Sequence, residues 1–310
     1  IHKQKKIDII HSYYSLGIGK IAVKIKKLAK ILDIRSAPVM LRIFTTRKKL
    51  HRFGEKYVQL RREFLAKEIQ NWELILVPEM KIGRLILNWE KKIMEVPLGA
   101  NFKLFKPGKE YELRVKHNLV DKEVLIYSGA IYPQRKLDTI LKSLECLIYL
   151  EKNKDICLLV VGDGPDRRRL EKMAKNLGIS DKVIFTGFKN YREVPRYLRV
   201  ADIGISFVPK NETFEYQPPL KTIEYMASGL PTIATSTYGN QRFIIHKKNG
   251  VLSDDTAESI SFWISTLIND SNLKRKIKKM SRKSVLKYDW FNITKRRLIP
   301  AYENALLCNH

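Results

Sequence analysis

The chain has 310 residues, 44% of them hydrophobic, which is enough to build the cores of two ordinary domains. Its 59 lysines and arginines against 32 aspartates and glutamates give a net charge of +27, which favours contact with phosphate, nucleic acid or an anionic membrane surface. Three cysteines without paired spacing exclude a disulfide framework and a zinc knuckle and fit a reducing cytosol, and the lack of any run of about 18 apolar residues excludes a membrane-spanning helix.

The first third of the chain predicts an α/β domain. Residues 7–10 and 74–77 are short apolar runs typical of buried strands. Helical patterns over residues 20–32 and 47–70 accompany them. Because the sequence begins at Ile1, in a basic stretch that leads directly into a strand, we expect an N-terminal portion of this domain to be missing.

The segment 20–32 has an amphipathic pattern. One face of the predicted helix carries Ile21, Ile25, Leu28 and Leu32, and the lysines lie largely elsewhere. Such a basic amphipathic helix could lie on an anionic membrane. The alternative is a helix that packs on the first sheet and leaves its basic face in water.

A linker and a second domain follow. Residues 97–108 have the turn composition of an interdomain linker. Beyond them, apolar runs alternate with longer amphipathic segments; the runs cover residues 124–127, 157–161, 183–185, 203–207 and 232–234. This alternation predicts a doubly wound parallel sheet that binds its ligand at the carboxyl ends of its strands. We therefore place a partial first domain at residues 1–105, a second domain at 106–285 and a C-terminal helical segment at 286–310.

Two loops of the second domain are candidates for contact with phosphate. The loop at residues 162–165 has the sequence Gly-Asp-Gly-Pro and is, on its own, either a structural turn or part of a ligand site. Arg135 and Lys136 stand at the expected start of the helix over residues 137–148, where two cations beside unpaired helix amides suit a diphosphate. The alternative is a solvated basic turn.

The stretch PPLKTIEYMASGLPTIAT, residues 218–235, predicts a largely apolar helix that carries one carboxylate, Glu224. Glu224 falls on the edge of the face that would be buried, and a charge there needs a partner. Lys221, three residues earlier, could form a surface ion pair with Glu224. The position of Glu224 at the buried edge instead favours a ligand as its partner.

No metal site is predicted. The six histidines are scattered without an HExxH or other metal spacing, and no two aspartates lie two residues apart. We therefore expect metal-independent chemistry, in which basic side chains and helix ends compensate the charge of a diphosphate.

Four segments in this order resemble the GT-B glycosyltransferases of the large retaining family 4. They are VPLGANFKLFKP (96–107), LLVVGDGPDRRRLEKMAKNLGISDKVIFTGF (158–188), VADIGISF (200–207) and LKTIEYMASGLPTIAT (220–235). The resemblance implies two Rossmann-like doubly wound domains that face a cleft, with the last segment crossing back onto the first domain. It also implies retaining transfer of a hexosyl unit from a nucleoside diphosphate sugar to a hydroxyl of a lipid-linked sugar, a glycolipid or a cell envelope polysaccharide.

The family motifs assign roles to residues of the second domain. Glu224 matches the second glutamate of an E-x7-E pair, which holds the ribose hydroxyls of the donor. The first glutamate falls on Tyr216, with Glu215 one residue away, which puts the donor sugar in doubt. The motifs place four further residues in the nucleotide-sugar site, namely Gly187, Phe188, Leu220 and Lys221.

The family's basic pair, written GR...KG, aligns onto the loop after the first strand of the same domain. Gly129 matches its glycine, and Arg135 takes the lysine position. The first arginine is replaced by Ala130, so one phosphate cation is missing, and Lys136 could take its place. The resemblance thus makes Arg135 and Lys136 the catalytic cations.

DIIHSYYSLG, residues 8–17, resembles the strand and loop of the first domain where relatives carry a histidine near the reacting centre. His11 matches the first histidine of the common DxxHxH form and is the third predicted catalytic residue, while Tyr13 replaces the second histidine. The first strands and the glycine-rich loop of this domain have no counterpart, so we expect a truncated domain.

One other function remains open, and a second is not favoured. A catalytically inactive nucleotide-sugar-binding or scaffolding relative would explain Ala130 and Tyr216. A nucleic-acid binder would explain the net charge of +27, but no RRM, KH, zinc-finger or basic-zipper signature is present, so no specific nucleic acid is expected. The predicted location is the cytoplasm, in peripheral contact with the inner face of the membrane.

Overall fold

The structure is a computed structural model that describes residues 8–13, 24, 27–35, 67, 69–81, 83, 93–151, 155–211 and 214–308. Its contacts divide the chain into two compact units. Unit 1 combines Ile1–Gly99 with Trp290–His310, and unit 2 is Ala100–Asp289. None of the described helices is long and apolar enough to cross a bilayer.

The described strands are β1 Ile9–Tyr13, β2 Ala29–Asp33, β3 Leu74–Val77, β4 Ile93–Glu95, β5 Glu123–Ser128, β6 Ile156–Val161, β7 Val183–Gly187, β8 Ile203–Ser206, β9 Thr232–Thr235 and β10 Val251–Ser253. The described helices are α1 Tyr111–Lys116, α2 Asp138–Leu150, α3 Arg167–Asn176, α4 Val194–Val200, α5 Leu220–Ala227, α6 Tyr238–Gln241, α7 Ala257–Asn269, α8 Ser271–Val285, α9 Trp290–Ile293 and α10 Ile299–Leu307. Short 3-10 turns at Pro133–Arg135, Ser180–Lys182 and Leu286–Tyr288 and a π-helical turn at Thr294–Leu298 complete the set.

Unit 1 contains a four-stranded parallel sheet in the order β1-β2-β3-β4. The strand predicted at 74–77 is confirmed as β3, whose four residues are all buried. One face of the sheet packs against α9 and α10 through the buried side chains of Ile293, Ala301 and Ala305. The C-terminal helices therefore supply part of the core of this unit.

The helix predicted over residues 20–32 is wrong at its carboxyl end, because residues 29–33 form β2. Lys24 is helical, but Lys27 has a φ of +66°, a left-handed conformation that cannot continue a right-handed helix. Leu32, which was predicted on the apolar helix face, is buried in the sheet instead. The remaining residues of the predicted helix before Lys27 lie outside the described residues, as do most of the helix predicted at 47–70 and the loop at 14–19.

Unit 2 contains a six-stranded sheet in the order β10-β9-β8-β5-β6-β7, with every pair parallel. The five strands predicted for this part of the chain are confirmed with shifts of their ends. Helices cover both faces of the sheet, and two hydrophobic clusters fill the space between the layers. The doubly wound fold predicted for this domain is therefore confirmed.

The strand order of unit 2 creates a switch point between β5 and β8. From β5 the chain progresses outward to β6 and β7, whereas from β8 it progresses the other way to β9 and β10. Loops that leave neighbouring strands in opposite directions open a crevice at the carboxyl ends of those strands. The segments after β5 and β8, residues 129–137 and the described residues 207–211 and 214–219, border this crevice.

Candidate functional site

Helix α5 carries the two charged side chains that lie beside the switch point. It begins after Pro219 and ends at Ala227, and Gly229, with a φ of +70°, gives the left-handed turn that closes the helix. The N–H of Leu230 donates to the carbonyl of Tyr225 at 3.0 Å in this turn. The apolar face of α5 is buried, but Leu220, at its first position, is 41% exposed.

Two buried contacts attach α5 to the two strands of the switch point. The hydroxyl oxygen of Tyr225 accepts from the backbone N–H of Ser128, at the end of β5, at 2.7 Å. The hydroxyls of Thr222 and Ser206, the latter at the end of β8, are 2.6 Å apart. Both pairs are buried, so the helix has little freedom to move relative to the strand ends.

Lys221 is an ammonium group held without a carboxylate partner. Its Nζ donates to the carbonyl of Phe207 at 3.2 Å and lies 4.0 Å from the ring centroid of Tyr127. Among the described residues it forms no ion pair. Burial, together with the guanidinium of Arg135, holds the pKa of Lys221 well below its usual value, although the carboxylate of Glu224 acts in the opposite direction.

The carboxyl group of Glu224 lies on the same side of α5, one turn further on. No described side chain or backbone group is hydrogen-bonded to it. Burial raises its pKa to about 7, and Lys221 offsets only part of that effect. Glu224 is therefore a partly desolvated acceptor that lacks a donor within the described protein.

Tyr191 lies near the same carboxyl group. Burial and the carboxylate of Glu224 raise the pKa of the Tyr191 phenol to about 12. Its ring packs on Phe105, with 5.3 Å between the ring centroids. Tyr191 is half-exposed, so it borders the open side of the crevice.

The loop after β5 brings Arg135 to this cluster. Arg135 ends the 3-10 turn Pro133–Arg135, and its guanidinium carbon lies 4.6 Å above the centroid of the Phe214 ring. Its charge lowers the pKa of Lys221 and opposes the burial that raises the pKa of Tyr127 to about 12. The guanidinium of Arg135 therefore lies close enough to Lys221 to disfavour its charged form.

Lys136 and Gly129 stand at the two ends of the same loop. Lys136 is exposed, with a φ of +49°, and forms no ion pair in the described part of the chain. Gly129 has a φ of +145°, and a Cβ atom there would lie 3.3 Å from the hydroxyl of Tyr127 and 3.8 Å from Nζ of Lys221. Only glycine suits this position without strain, and it leaves room in front of the ammonium group.

Gly187 is the last residue of β7 and Phe188 follows it, on the other side of the Gly-Asp-Gly-Pro loop. The N–H of Gly162 donates to the carbonyl of Gly187 at 3.1 Å, and a Cβ atom on Gly162 would lie 2.0 Å from the carbonyl oxygen of Gly129. Glycine at 162 thus lets the loops after β5, β6 and β7 meet at the carboxyl ends of these strands. The ring of Phe188 is 73% exposed beside them.

Tyr216 and Glu215 both contact Tyr238, the first residue of α6. The carboxylate of Glu215 accepts from the backbone N–H of Tyr238, the first residue of α6, at 2.8 Å. The ring of Tyr216 packs on the ring of Tyr238, with centroids 5.4 Å apart. Glu215 therefore stabilises the start of a helix, a common role for a carboxylate.

His11 lies in unit 1, where both nitrogens of its ring are engaged. Nε2 is 3.2 Å from the carboxylate of Asp33, and Nδ1 is 2.8 Å from the hydroxyl of Tyr302. Nε2 faces a carboxylate and therefore donates, whereas the Tyr302 hydroxyl can donate to or accept from Nδ1. Asp33 also accepts from Nε of Arg35 at 2.6 Å, and the other Asp33 oxygen is buried with no partner among the described residues.

Sequence reasoning missed the aromatic residues of the unit 2 cluster. Tyr127 supplies the ring face under Lys221, Phe214 supplies the ring under Arg135, and Tyr191 lies near Glu224. Tyr127 ends an apolar strand and Phe214 lies in a loop, and neither carries a spacing signal. Their importance depends on which loops meet at the switch point.

Among the described histidine, cysteine, aspartate and glutamate side chains, no three come together in a group that could hold a metal ion. Metal-independent chemistry stays a prediction.

Comparison with known proteins identifies the family. The sequence model of the family described as glycosyl transferases group 1 matches residues 109–284. The alpha-monoglucosyldiacylglycerol synthase of Streptococcus pneumoniae is 27% identical over 264 residues, which cover 81% of this chain and 57% of the relative. The GDP-mannose-dependent alpha-(1-6)-phosphatidylinositol dimannoside mannosyltransferase of Mycobacterium tuberculosis is 28% identical over 197 residues, 63% of this chain and 48% of the relative.

A solved structure shows the same fold. Anabaena HepE in complex with UDP-glucose superimposes with a TM-score of 0.75 at 15% identity, over 96% of this chain and 79% of that chain. Two parallel α/β units of this kind define the GT-B class of fold. Since the family pattern covers more than half of its residues, the chain belongs to the glycosyl transferases group 1 family. It spans between 43% and 57% of the length of three curated relatives that it matches.

Proposed function

We propose that this chain transfers a hexosyl unit from a nucleoside diphosphate sugar to an acceptor hydroxyl, with retention at the anomeric carbon. One observation carries the proposal: two cations, Lys221 and Arg135, and one unbonded carboxyl group, Glu224, lie together at the switch point of the unit 2 sheet. A nucleoside diphosphate offers the complementary groups, because its phosphates are anionic and its ribose hydroxyls are donors.

The cations would receive the diphosphate. The guanidinium of Arg135 disfavours the charged form of Lys221, and an anion between the two side chains would favour that form instead. Lys136, exposed beyond them, adds a third cation on the solvent side. The carboxylate of Glu224 would accept hydrogen bonds from the ribose hydroxyls, which satisfies the acceptor that the protein leaves without a donor.

The same groups suit the chemistry. The bond between the anomeric carbon and the diphosphate oxygen breaks, and its electron pair leaves on that oxygen. The acceptor oxygen bonds to the anomeric carbon on the same face, and the departing diphosphate takes the proton of the acceptor. Arg135 and Lys221 would stabilise the charge that develops on the leaving oxygen, so the proposal needs no metal ion.

The acceptor is proposed to be a lipid-linked sugar, a glycolipid or a polysaccharide. The names of two relatives support the lipid class, since one is a synthase of a glucosyldiacylglycerol and the other a mannosyltransferase of a phosphatidylinositol mannoside. His11 remains a predicted catalytic residue. Both of its ring nitrogens are engaged in unit 1, so it would have to exchange one of these contacts to reach a substrate.

A panel of UDP-, GDP- and ADP-sugars tests the proposal. One donor should raise the melting temperature by about 4–8 °C at a hundredfold excess over its Kd, and it should be slowly hydrolysed in the absence of acceptor. Binding without hydrolysis or transfer would favour the inactive relative, which the replacements at Ala130 and Tyr216 support. A protein stabilised by none of these donors would contradict both functions.

A further inference from the structure

Unit 2 has a strongly basic helix on its surface, well away in sequence from the loops of the switch point. The stretch 271–288, which covers α8 and the turn Leu286–Tyr288, contains eight lysines and arginines and neither aspartate nor glutamate. The side of α8 that carries Ile277, Ser281 and Val285 is buried in the unit. At about 100° per residue, the opposite side presents one stripe. Its exposed cations are Arg275, Lys276, Lys279, Lys283 and Lys287.

The loop 242–250 extends this stripe. Asn249 donates from Nδ2 to the hydroxyl of Ser284, on α8, at 2.9 Å. Phe243 packs edge-on against Tyr288, with 4.9 Å between the ring centroids. The loop therefore packs on α8 and on the turn that follows it, and we call the exposed cations of the loop and of the stripe together the basic face. The loop adds the exposed cations Lys247 and Lys248 to it.

The charges of the basic face have no counterions in the described protein. Lys276, Lys279, Lys283 and Lys248 form no ion pair with any described residue. Lys247 and Lys287 lie near aromatic rings, at 5.0 Å from Trp263 and 5.2 Å from Tyr288. A surface of like charges raises the local potential and attracts an anionic partner.

Two aliphatic side chains are exposed within the basic face. Ile245, in the loop, is 58% exposed, and Leu286, directly after α8, is 48% exposed. By its helical position Leu286 lies on the same side as Lys279 and Lys283. A phosphate backbone makes no use of such side chains, whereas the interface of a bilayer accepts them between its headgroups.

We propose that the basic face of unit 2 binds the surface of an anionic lipid bilayer. Its lysines and arginine would contact the acidic headgroups, and Ile245 and Leu286 would enter the boundary between headgroups and acyl chains. The proposal goes beyond the transfer reaction and does not depend on it, because none of these residues belongs to the switch-point cluster. It also differs from the membrane helix predicted at 20–32, whose carboxyl end is a strand.

Vesicle binding tests the proposal with the full chain. Vesicles of phosphatidylcholine with about 30% phosphatidylglycerol should bind the protein at least tenfold more tightly than vesicles of phosphatidylcholine alone, and salt should weaken the binding. The double reversal Lys279→Glu and Lys283→Glu should weaken it at least about tenfold. The matched control reverses Lys172 and Lys175, exposed lysines of α3, to glutamate and should retain most of the binding.

A second pair of variants tests the apolar part. Ile245→Ser with Leu286→Ser leaves the charge unchanged and should lower vesicle affinity about threefold to tenfold at high salt, where the electrostatic part is screened. Donor-induced stabilisation should be unchanged in all three double variants, which shows that they fold and separates this proposal from the transfer reaction.

Three results would overturn the proposal. The first is equal binding to both kinds of vesicle, and the second is an equal loss in the α3 control, which would mean that only net charge matters. The third is tighter binding to short duplex DNA than to vesicles. In that case the DNA binding would be lost on reversal of Lys279 and Lys283 but would not change in the serine variants. That pattern would identify a nucleic acid as the partner.

Discussion

In unit 1, the ionisable side chains at the strand ends bond to one another, although one Asp33 oxygen is buried without a partner among the described residues. Asp33 accepts from Arg35 and lies within hydrogen-bond distance of His11, and His11 also contacts Tyr302. In unit 2, the corresponding groups do not. Among the described residues, Lys221 and Arg135 are two basic side chains that form no ion pair with a carboxylate, and Glu224 has no hydrogen-bond partner for its carboxyl group.

The contrast separates a structural polar cluster from a binding site. Polar groups that bond to one another hold a unit together, whereas groups left unbonded cost folding free energy until a ligand arrives. The unbonded groups of unit 2 lower its free energy of unfolding. A ligand that binds them must be anionic on one side and offer hydrogen-bond donors on the other. The following substitutions test the contrast, beginning with the largest expected effect.

Arg135→Ala should lower turnover by about two to three orders of magnitude, because one group that stabilises the leaving diphosphate is lost. Steady-state transfer or donor hydrolysis measures it. Lys142→Ala removes an exposed cation of α2 and serves as the control, with turnover unchanged. Equal turnover in the Arg135 and Lys142 variants would remove Arg135 from the reaction.

Asp33→Asn should lower the free energy of unfolding by about 2–4 kcal/mol, because the Arg35 and His11 side chains lose a buried charged acceptor. Urea unfolding measures it. Glu303→Gln, an exposed position of α10 in the same unit, is the matched control and should change stability little. A neutral effect of Asp33→Asn would show that the unit 1 cluster is not a structural element.

Glu224→Gln should act in the opposite direction at alkaline pH. Burial penalises the carboxylate in the folded protein, so the penalty is absent below the unfolded pKa of 4.5 and complete above about 7. The variant should therefore gain about 1–2 kcal/mol of stability at about pH 8 and nothing at about pH 4.5, while donor binding weakens. Thermal unfolding at the two pH values measures the difference.

The control for this variant is Glu145→Gln, at an exposed position of α2. It should leave stability the same at both pH values. If Glu224→Gln instead destabilises the protein at about pH 8, the carboxylate is satisfied in the folded state, and the contrast between the two units disappears.

Tyr302→Phe should have the smallest effect. It removes one hydroxyl from His11 and keeps the ring, so unit 1 should lose about 1 kcal/mol of stability. The rate of sugar transfer by Tyr302→Phe should fall only if His11 acts in the reaction. A change in the pH profile of turnover, without a matching loss of stability, would support a role of His11 in catalysis rather than in folding.

The sequence predicted the sheet of unit 2 because five of its strands are apolar on both faces and regularly spaced. It failed at β4 and β10, which have three residues each and are too short to show a period. It also failed at β2, where Leu32 fits a helical face as well as a strand. The left-handed turn at Lys27, with its φ of +66°, ends the helix before this strand, and no feature of the sequence predicts that turn.

The candidate site was predicted in part for similar reasons. Glu224, Lys221 and Arg135 stand out as charges in otherwise patterned segments. The rings that surround them could not be predicted, because Tyr127 and Phe214 approach the cations only through the strand order. The state of His11 could not be predicted either, since Tyr302 lies 291 residues away along the chain.

The most direct measurement is the number of protons taken up when a nucleoside diphosphate binds, obtained by calorimetric titration in buffers of different ionisation enthalpy. At about pH 9 Glu224, whose pKa is about 7, is already ionised and contributes no uptake, whereas an anion beside Lys221 should raise the lowered pKa of its amine and draw in a proton. The wild type is expected to take up protons on binding, and Lys221→Met is expected to bind more weakly and without uptake. Equal affinity and equal uptake in the two proteins would show that the diphosphate does not bind at the switch point of unit 2.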